Sequence, residues 1–309
     1  MWDIEVDLVS VGAGVGGLAG AIATVDSGGR ALVADNTPRS GGGASAVATR
    51  RRVHSARGWL QHEVMDTQTD QFFASLAEGL PTPAYLTRGV PVPTRTATAS
   101  PDGNAVEPFL GSRLMDWAGQ CLTSPYGMLY SSVFGWYSCT TMQSADGGTI
   151  EVVPIGTIDW RRGLGGRVLQ DWMLDRVRER EIETLSVTGM ERLVFEDGRV
   201  TGVVLSTSNG PLAVRARRGV TIAPSENDSA TVGIAPVGGE QRQVCLVGKT
   251  ASRFGRVELL SSAVAEAAVR SVCPGPVGAS AFLAGLHEAR QPSGSRWYAE
   301  LHRHPTNGQ

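Results

Sequence analysis

Near its start the chain carries a nearly continuous apolar run, Val6-Asp7-Leu8-Val9-Ser10-Val11. A short run of that kind fits a parallel strand covered on both faces, and it predicts a strand over Ile4–Val11. Small and apolar residues then recur at helical spacing until Gly28-Gly29 supplies a left-handed stop, which predicts a helix over Gly16–Val25. A second apolar run predicts a strand over Arg30–Asp35.

Later periodicities predict helices over His62–Leu80, Gly111–Leu122, Val168–Arg180, Leu259–Val272 and Ala279–Ala289. The aromatic and β-branched stretch Met128–Met142 reads as strand, as does Thr149–Ile155 behind the turn Asp146-Gly147-Gly148. Ile182–Val187, Met190–Glu196, Arg199–Leu205 and Leu212–Arg217 read as further strands, the last three joined by the turns Asp197-Gly198 and Asn209-Gly210. Gly219–Ala223 adds one more. Pro81–Pro108, rich in Pro and Thr, reads as irregular, and Arg290–Gln309 as a fraying polar tail. The pattern predicts an α/β fold with a Rossmann-like parallel sheet and a β-meander. It divides the chain into a discontinuous domain, residues 1–60 and 163–309, and a smaller irregular α+β lobe, residues 61–162.

The joint between the first strand and the first helix carries the chemistry. Gly12-Ala13-Gly14-Val15-Gly16-Gly17 between them, with Asp35 ending the second strand, is the dinucleotide-binding arrangement. Gly12 permits a tight turn, Gly14 lets a pyrophosphate approach the backbone, and Gly17 lets helix and strand pack closely. Val15 and Gly16 stand where a helix N-terminus presents free N–H groups to phosphate. Asp35, with Asn36 beside it, is placed to accept from a ribose hydroxyl. NAD fits the same unit, and Asp35 disfavours the 2′-phosphate of NADP.

Other residues are weaker candidates. Thr49–Arg57 is the densest basic run. Arg52 in it, and Arg162 farther on, are candidates to polarise or hold a substrate anion, and His54 is a candidate proton donor. A solvated basic turn explains the run as well. A Tyr within 126–137 is a candidate catalytic acid, although aromatic residues are more often core.

Composition narrows the field. The chain has 309 residues, 41% hydrophobic and 19% charged, enough for one large or two modest domains with a real core. A formal net charge of -2 gives no electrostatic case for nucleic acid or an anionic membrane. Cys121, Cys139, Cys245 and Cys273 lie far apart, so the expectation is reduced thiols in the cytoplasm and no metal site. No basic region precedes an apolar run at the start, and no stretch is long and apolar enough to span a bilayer, so neither a signal peptide nor a membrane span is expected. G-x-S-x-G and G-x-x-x-x-G-K-[ST] are absent, which argues against a serine hydrolase and a P-loop enzyme.

The opening βαβ unit with Gly42-Gly43-Ala44-Ser45 after it resembles the flavoprotein family of fumarate reductase, the succinate dehydrogenase flavoprotein subunit and 3-ketosteroid dehydrogenase. The family more often has Glu where this chain has Asp35. Glu196-Asp197-Gly198-Arg199-Val200-Thr201-Gly202-Val203 is similar to a family hairpin near which, around Val187 and Met190, the adenine lies. The resemblance implies FAD as cofactor, with Gly42, Gly43, Ala44, Ser45 and Met190 added to the binding residues. It also implies hydride transfer between flavin and a small organic or steroid-like substrate, with an electron partner or a homo-oligomer as further expectations. Two elements depart from the family. Ala223-Pro224-Ser225-Glu226 stands where A-T-G-G is usual, and no A-G-D/E/N element occurs between Gly248 and Gln309. Nucleotide binding is therefore better supported than redox chemistry, and a flavin-binding protein without turnover remains an alternative.

Overall fold

The computed structural model describes residues 1–36, 66–80, 90–99, 111–132, 139–145, 147–160, 166–224 and 240–261. They belong to one compact unit, Met1–Val269. Gly42, Gly43, Ala44, Ser45, Arg52, His54 and Arg162, and the helix expected over Ala279–Ala289, lie outside the described residues.

A thirteen-stranded sheet organises them. β1 (Ile4–Val11), β2 (Ala31–Asp35) and β8 (Glu183–Ser186) run parallel, and the second half of β11 (Gly210–Ile222) runs parallel to β1 on its other side. β9 (Gly189–Glu196) and β10 (Arg199–Thr207) form an antiparallel meander with the first half of β11. Beyond the end of β11 the sheet turns antiparallel, through β5 (Gly127–Tyr130), β13 (Phe254–Leu260), β12 (Glu240–Gly248), β7 (Thr149–Trp160), β6 (Thr140–Ser144) and β4 (Ala97–Ala99). A short β3 (Thr94–Arg95) lies parallel to β13.

Two cores cover the sheet. α1 (Val15–Asp26) and α4 (Gly166–Glu179) share one, where Leu18, Ile22, Leu169 and Met173 are buried with Leu8 and Val33. α2 (Thr67–Ala77) and α3 (Gly111–Leu122) contribute Phe73, Trp117, Cys121 and Leu122 to the other, with Val9 and Val11. Successive β1 residues thus feed different cores, as a strand buried on both faces requires.

Several sequence expectations change. Leu212–Arg217 and Gly219–Ala223 form one strand to Ile222, because Gly219, at φ 146°, absorbs a bend where the Tyr130 ring packs against it. Among the described residues, Met128–Met142 carries the end of β5 and the start of β6. β7 runs on to Trp160, and β12 was not foreseen. The helix expected over Leu259–Val272 is corrected at its start: Leu259 and Leu260 close β13. Arg256 and Glu258 place two charges on the face that Phe254 and Leu260 bury, which hid the strand from a pattern based on hydrophobicity.

Candidate functional site

β1 delivers the chain into the glycine turn at the level where Val11 pairs with Ala34 of β2 and Ile222 of β11. Gly12 turns at φ 101°, and its N–H donates to the Ala34 carbonyl at 2.9 Å. The end of β11 lies across this turn. A Cβ on Gly12 would stand 2.2 Å from the Ala223 carbonyl oxygen, and one on Gly14 would stand 2.0 Å from that of Pro224. A Cβ on Gly17 would meet the Gly12 oxygen at 2.3 Å and Ser10 Oγ at 2.4 Å, so the helix can approach the strand only with glycine there.

Gly14 caps α1 without any side-chain hydrogen bond, and the first turn of the helix contains no acid. Its leading N–H groups and the positive end of the helix dipole are thus not neutralised by the helix's own side chains. This is the donor set a pyrophosphate needs, and the α1 N-terminus fits the group, while the space beside Gly14 expected to admit the pyrophosphate is filled by the Pro224 carbonyl. Gln170 of α4 donates from Nε2 to the Ala13 carbonyl at 3.2 Å and ties the second helix to the turn.

Asp35 ends β2, half-buried, with Asn36 following it. The Asp35 carbonyl accepts the Val187 N–H at 2.9 Å, so the segment read as adenine-facing is fastened to the end of the second strand. Met190 is buried at the start of β9. The structure therefore brings Gly12, Gly14, Val15, Gly16 and Gly17 to the carboxyl end of β1, and Asp35 and Asn36 to that of its neighbour β2. Open α/β sheets bind their ligands there.

Tyr130 and Tyr126 are core residues. Tyr130 donates to the Arg218 carbonyl and burial pushes its phenol above the usual range, while Tyr126 donates to the Val90 carbonyl at 2.7 Å. Neither is available as the catalytic acid considered from the sequence. Among the described residues, Cys121, Cys139 and Cys245 are thiols rather than disulfide halves, and burial pushes Cys121 far above the thiol range. No helix of the described residues is long and apolar enough to cross a membrane.

A charged cluster that the sequence reading missed lies on the α3 face. Glu258, wholly buried, accepts a forked pair from Arg95, Nε at 2.6 Å and Nη2 at 3.0 Å, and a third hydrogen bond from Arg256 Nε at 2.7 Å. Burial acts to raise the Glu258 carboxyl. The Arg95 hydrogen bond and the charges of both arginines outweigh it and hold the group below the ordinary carboxylate range. The i, i+2 spacing of Arg256 and Glu258 on a strand was the available signal.

The family model described as FAD binding domain matches residues 7–278. A comparison with curated proteins gave no match. Among solved structures, the chain is similar to a 3-ketosteroid-delta4-(5alpha)-dehydrogenase from Rhodococcus jostii, in complex with 4-androstene-3,17-dione, at 17% identity and TM-score 0.30, over 71% of this chain and 46% of that one. It is also similar to a flavocytochrome c3 fumarate reductase in its open conformation, at 17% identity and TM-score 0.27, over 70% of this chain and 33% of that one. A 3-ketosteroid delta1-dehydrogenase from Sterolibacterium denitrificans matches at 14% identity and TM-score 0.30, over 70% and 47%. The chain spans less than half the length of each, and likenesses at these TM-scores carry no argument of their own. The family match over residues 7–278 does: this chain belongs to the FAD binding domain family, and FAD is its cofactor.

Proposed function

We propose that the protein is a flavin-dependent oxidoreductase that passes hydride between FAD and a small organic or steroid-like substrate. The observation that carries the reading is the uncapped, acid-free N-terminus of α1 behind Gly12 and Gly14, with Asp35 at the end of the neighbouring strand. Bound FAD supplies the hydride donor and acceptor. The chain's own part is to hold it: the first amides of α1 bind the pyrophosphate, and the Asp35 carboxylate accepts from the ribose. Gly42, Gly43, Ala44, Ser45 and Met190 complete the cofactor contacts in this reading. Arg52, His54 and Arg162 are its candidates for orienting or protonating the substrate. Residues 61–162 form the substrate lobe, and residues 1–60 and 163–309 the flavin domain. The four scattered cysteines support a reducing, cytoplasmic compartment.

The visible absorption spectrum of the purified protein, with chromatography of the nucleotide released on denaturation, tests the cofactor. Anaerobic mixing with 3-ketosteroids and with small unsaturated acids then tests the reaction. Bleaching or reoxidation of the flavin by one of them is the expected outcome. Bound FAD that no substrate or electron carrier turns over would leave a flavin-binding protein without redox activity. Colourless protein that ignores added FAD would overturn the reading.

A further inference from the structure

Glu258 needs only one guanidinium for charge balance, and Arg95 already grips both of its oxygens. Arg256 adds a second through Nε alone. Its guanidinium lies 5.1 Å from the centroid of the Trp117 ring, with the side chain only 14% exposed. Among the described residues, the two terminal nitrogens of Arg256 have no hydrogen-bond partner, and neither is sealed from solvent. A mostly covered cation whose terminal N–H donors still reach solvent is open to an incoming anion. The pair of terminal nitrogens matches the two oxygens of a carboxylate or phosphate, and the Trp117 ring lies within cation–π distance of the guanidinium.

The location suits a ligand. Arg256 pairs with Gly127 of β5, two residues past the level at which Phe254, Leu129, Ile222 and Val11 lie side by side. Arg256 is therefore beyond the last residue of β1, on the carboxyl side of the parallel strands. The Gly127 carbonyl in turn stands 2.5 Å from where a Cβ on Gly16 of α1 would be.

We propose that Arg256, backed by Trp117 and oriented by Glu258, is a binding site for the oxyanion, carboxylate or phosphate, of a small molecule. The site is separate from the glycine turn that serves FAD. Arg256 is the ligand-touching residue, while Glu258 fixes its Nε edge and leaves the far edge for the ligand.

Calorimetric titration of the FAD-loaded protein with benzoate, and separately with inorganic phosphate, tests this. At least one anion is expected to bind, about tenfold or more weakly in Arg256→Gln and with an intermediate loss in Arg256→Lys, which keeps the charge but not the fork. Arg167→Gln, an exposed arginine on α4, is expected to leave binding unchanged. Binding of benzoate alone assigns a carboxylate ligand and binding of phosphate alone a phosphorylated one. If Arg256→Gln does not fold by circular dichroism, Arg256→Lys decides. No heat with either anion, or equal affinity in the folded variants, would overturn the proposal. Because the FAD content is read separately by absorbance, a failure here is distinguishable from a failure of the flavin reading.

Discussion

At the scale of single residues, two buried carboxylates behave in opposite ways. Glu258 has its folded-state carboxyl held low by two arginines, so its contribution to stability is present above the unfolded carboxylate range and is lost as pH falls through the lower folded value. Glu258→Ala leaves two guanidiniums without their shared partner and is expected to destabilise the fold by roughly 3–5 kcal/mol in urea denaturation at pH 7. Glu151 is the reverse. Burial raises its carboxyl, only Oε1 accepts a hydrogen bond, from Thr250 at 2.9 Å, and Oε2 has no donor among the described residues. The folded state therefore holds the Glu151 proton more tightly than the unfolded chain, and stability falls as pH rises from the unfolded value through the folded one. In melting curves between pH 4 and pH 7, Glu151→Gln, which cannot ionise, should gain in melting temperature relative to the wild type as pH rises. At the cofactor turn, Gly14→Ala drives a Cβ into the Pro224 carbonyl. It is expected to weaken FAD binding at least tenfold, measured by flavin fluorescence on titration.

At the scale of elements, α2 shows how a helix is both started and docked. Asp66 accepts the Thr69 N–H at 2.8 Å and the Thr69 hydroxyl at 2.7 Å, while the same hydroxyl accepts the Leu193 N–H of β9 at 2.9 Å. One side chain thus caps the helix and fixes the group that anchors it to the meander. Asp66→Ala is expected to cost about 1 kcal/mol. Thr69→Val should cost more, on the order of 2 kcal/mol, because it strands a buried N–H of β9 as well. Denaturant midpoints of the two variants check the order, and equal midpoints would show that the Leu193 contact contributes nothing. Elements also explain what the sequence hid. The glycine turn, α1, β2 and α3 were legible because apolar spacing and glycine placement agree locally. β13 was not, because the charge of the buried Glu258 is met by Arg95, more than a hundred and fifty residues away along the chain.

At the scale of the whole molecule, a single sheet changes character along its width. Parallel strands carry the nucleotide turn, and β5 joins them to an antiparallel array that carries Arg256 and Glu258. If FAD binds only the folded state, stability must rise with its concentration, by about 2.7 kcal/mol at a hundred times the dissociation constant. A melting temperature that does not move on adding FAD would contradict cofactor binding at this turn.

The sequence by itself determined the βαβ unit and its nucleotide chemistry. Each part of that unit is set by neighbours in the chain: apolar runs make the strands, glycines make the turn, and one acid ends β2. Only the tertiary structure decided that β11 is one strand bent at Gly219, that Ala223 and Pro224 lie over the glycine turn, and that Tyr126 and Tyr130 are core. It alone decided that two arginines converge on Glu258, because burial and charge pairing between distant residues depend on which strands become neighbours, and no local pattern specifies that.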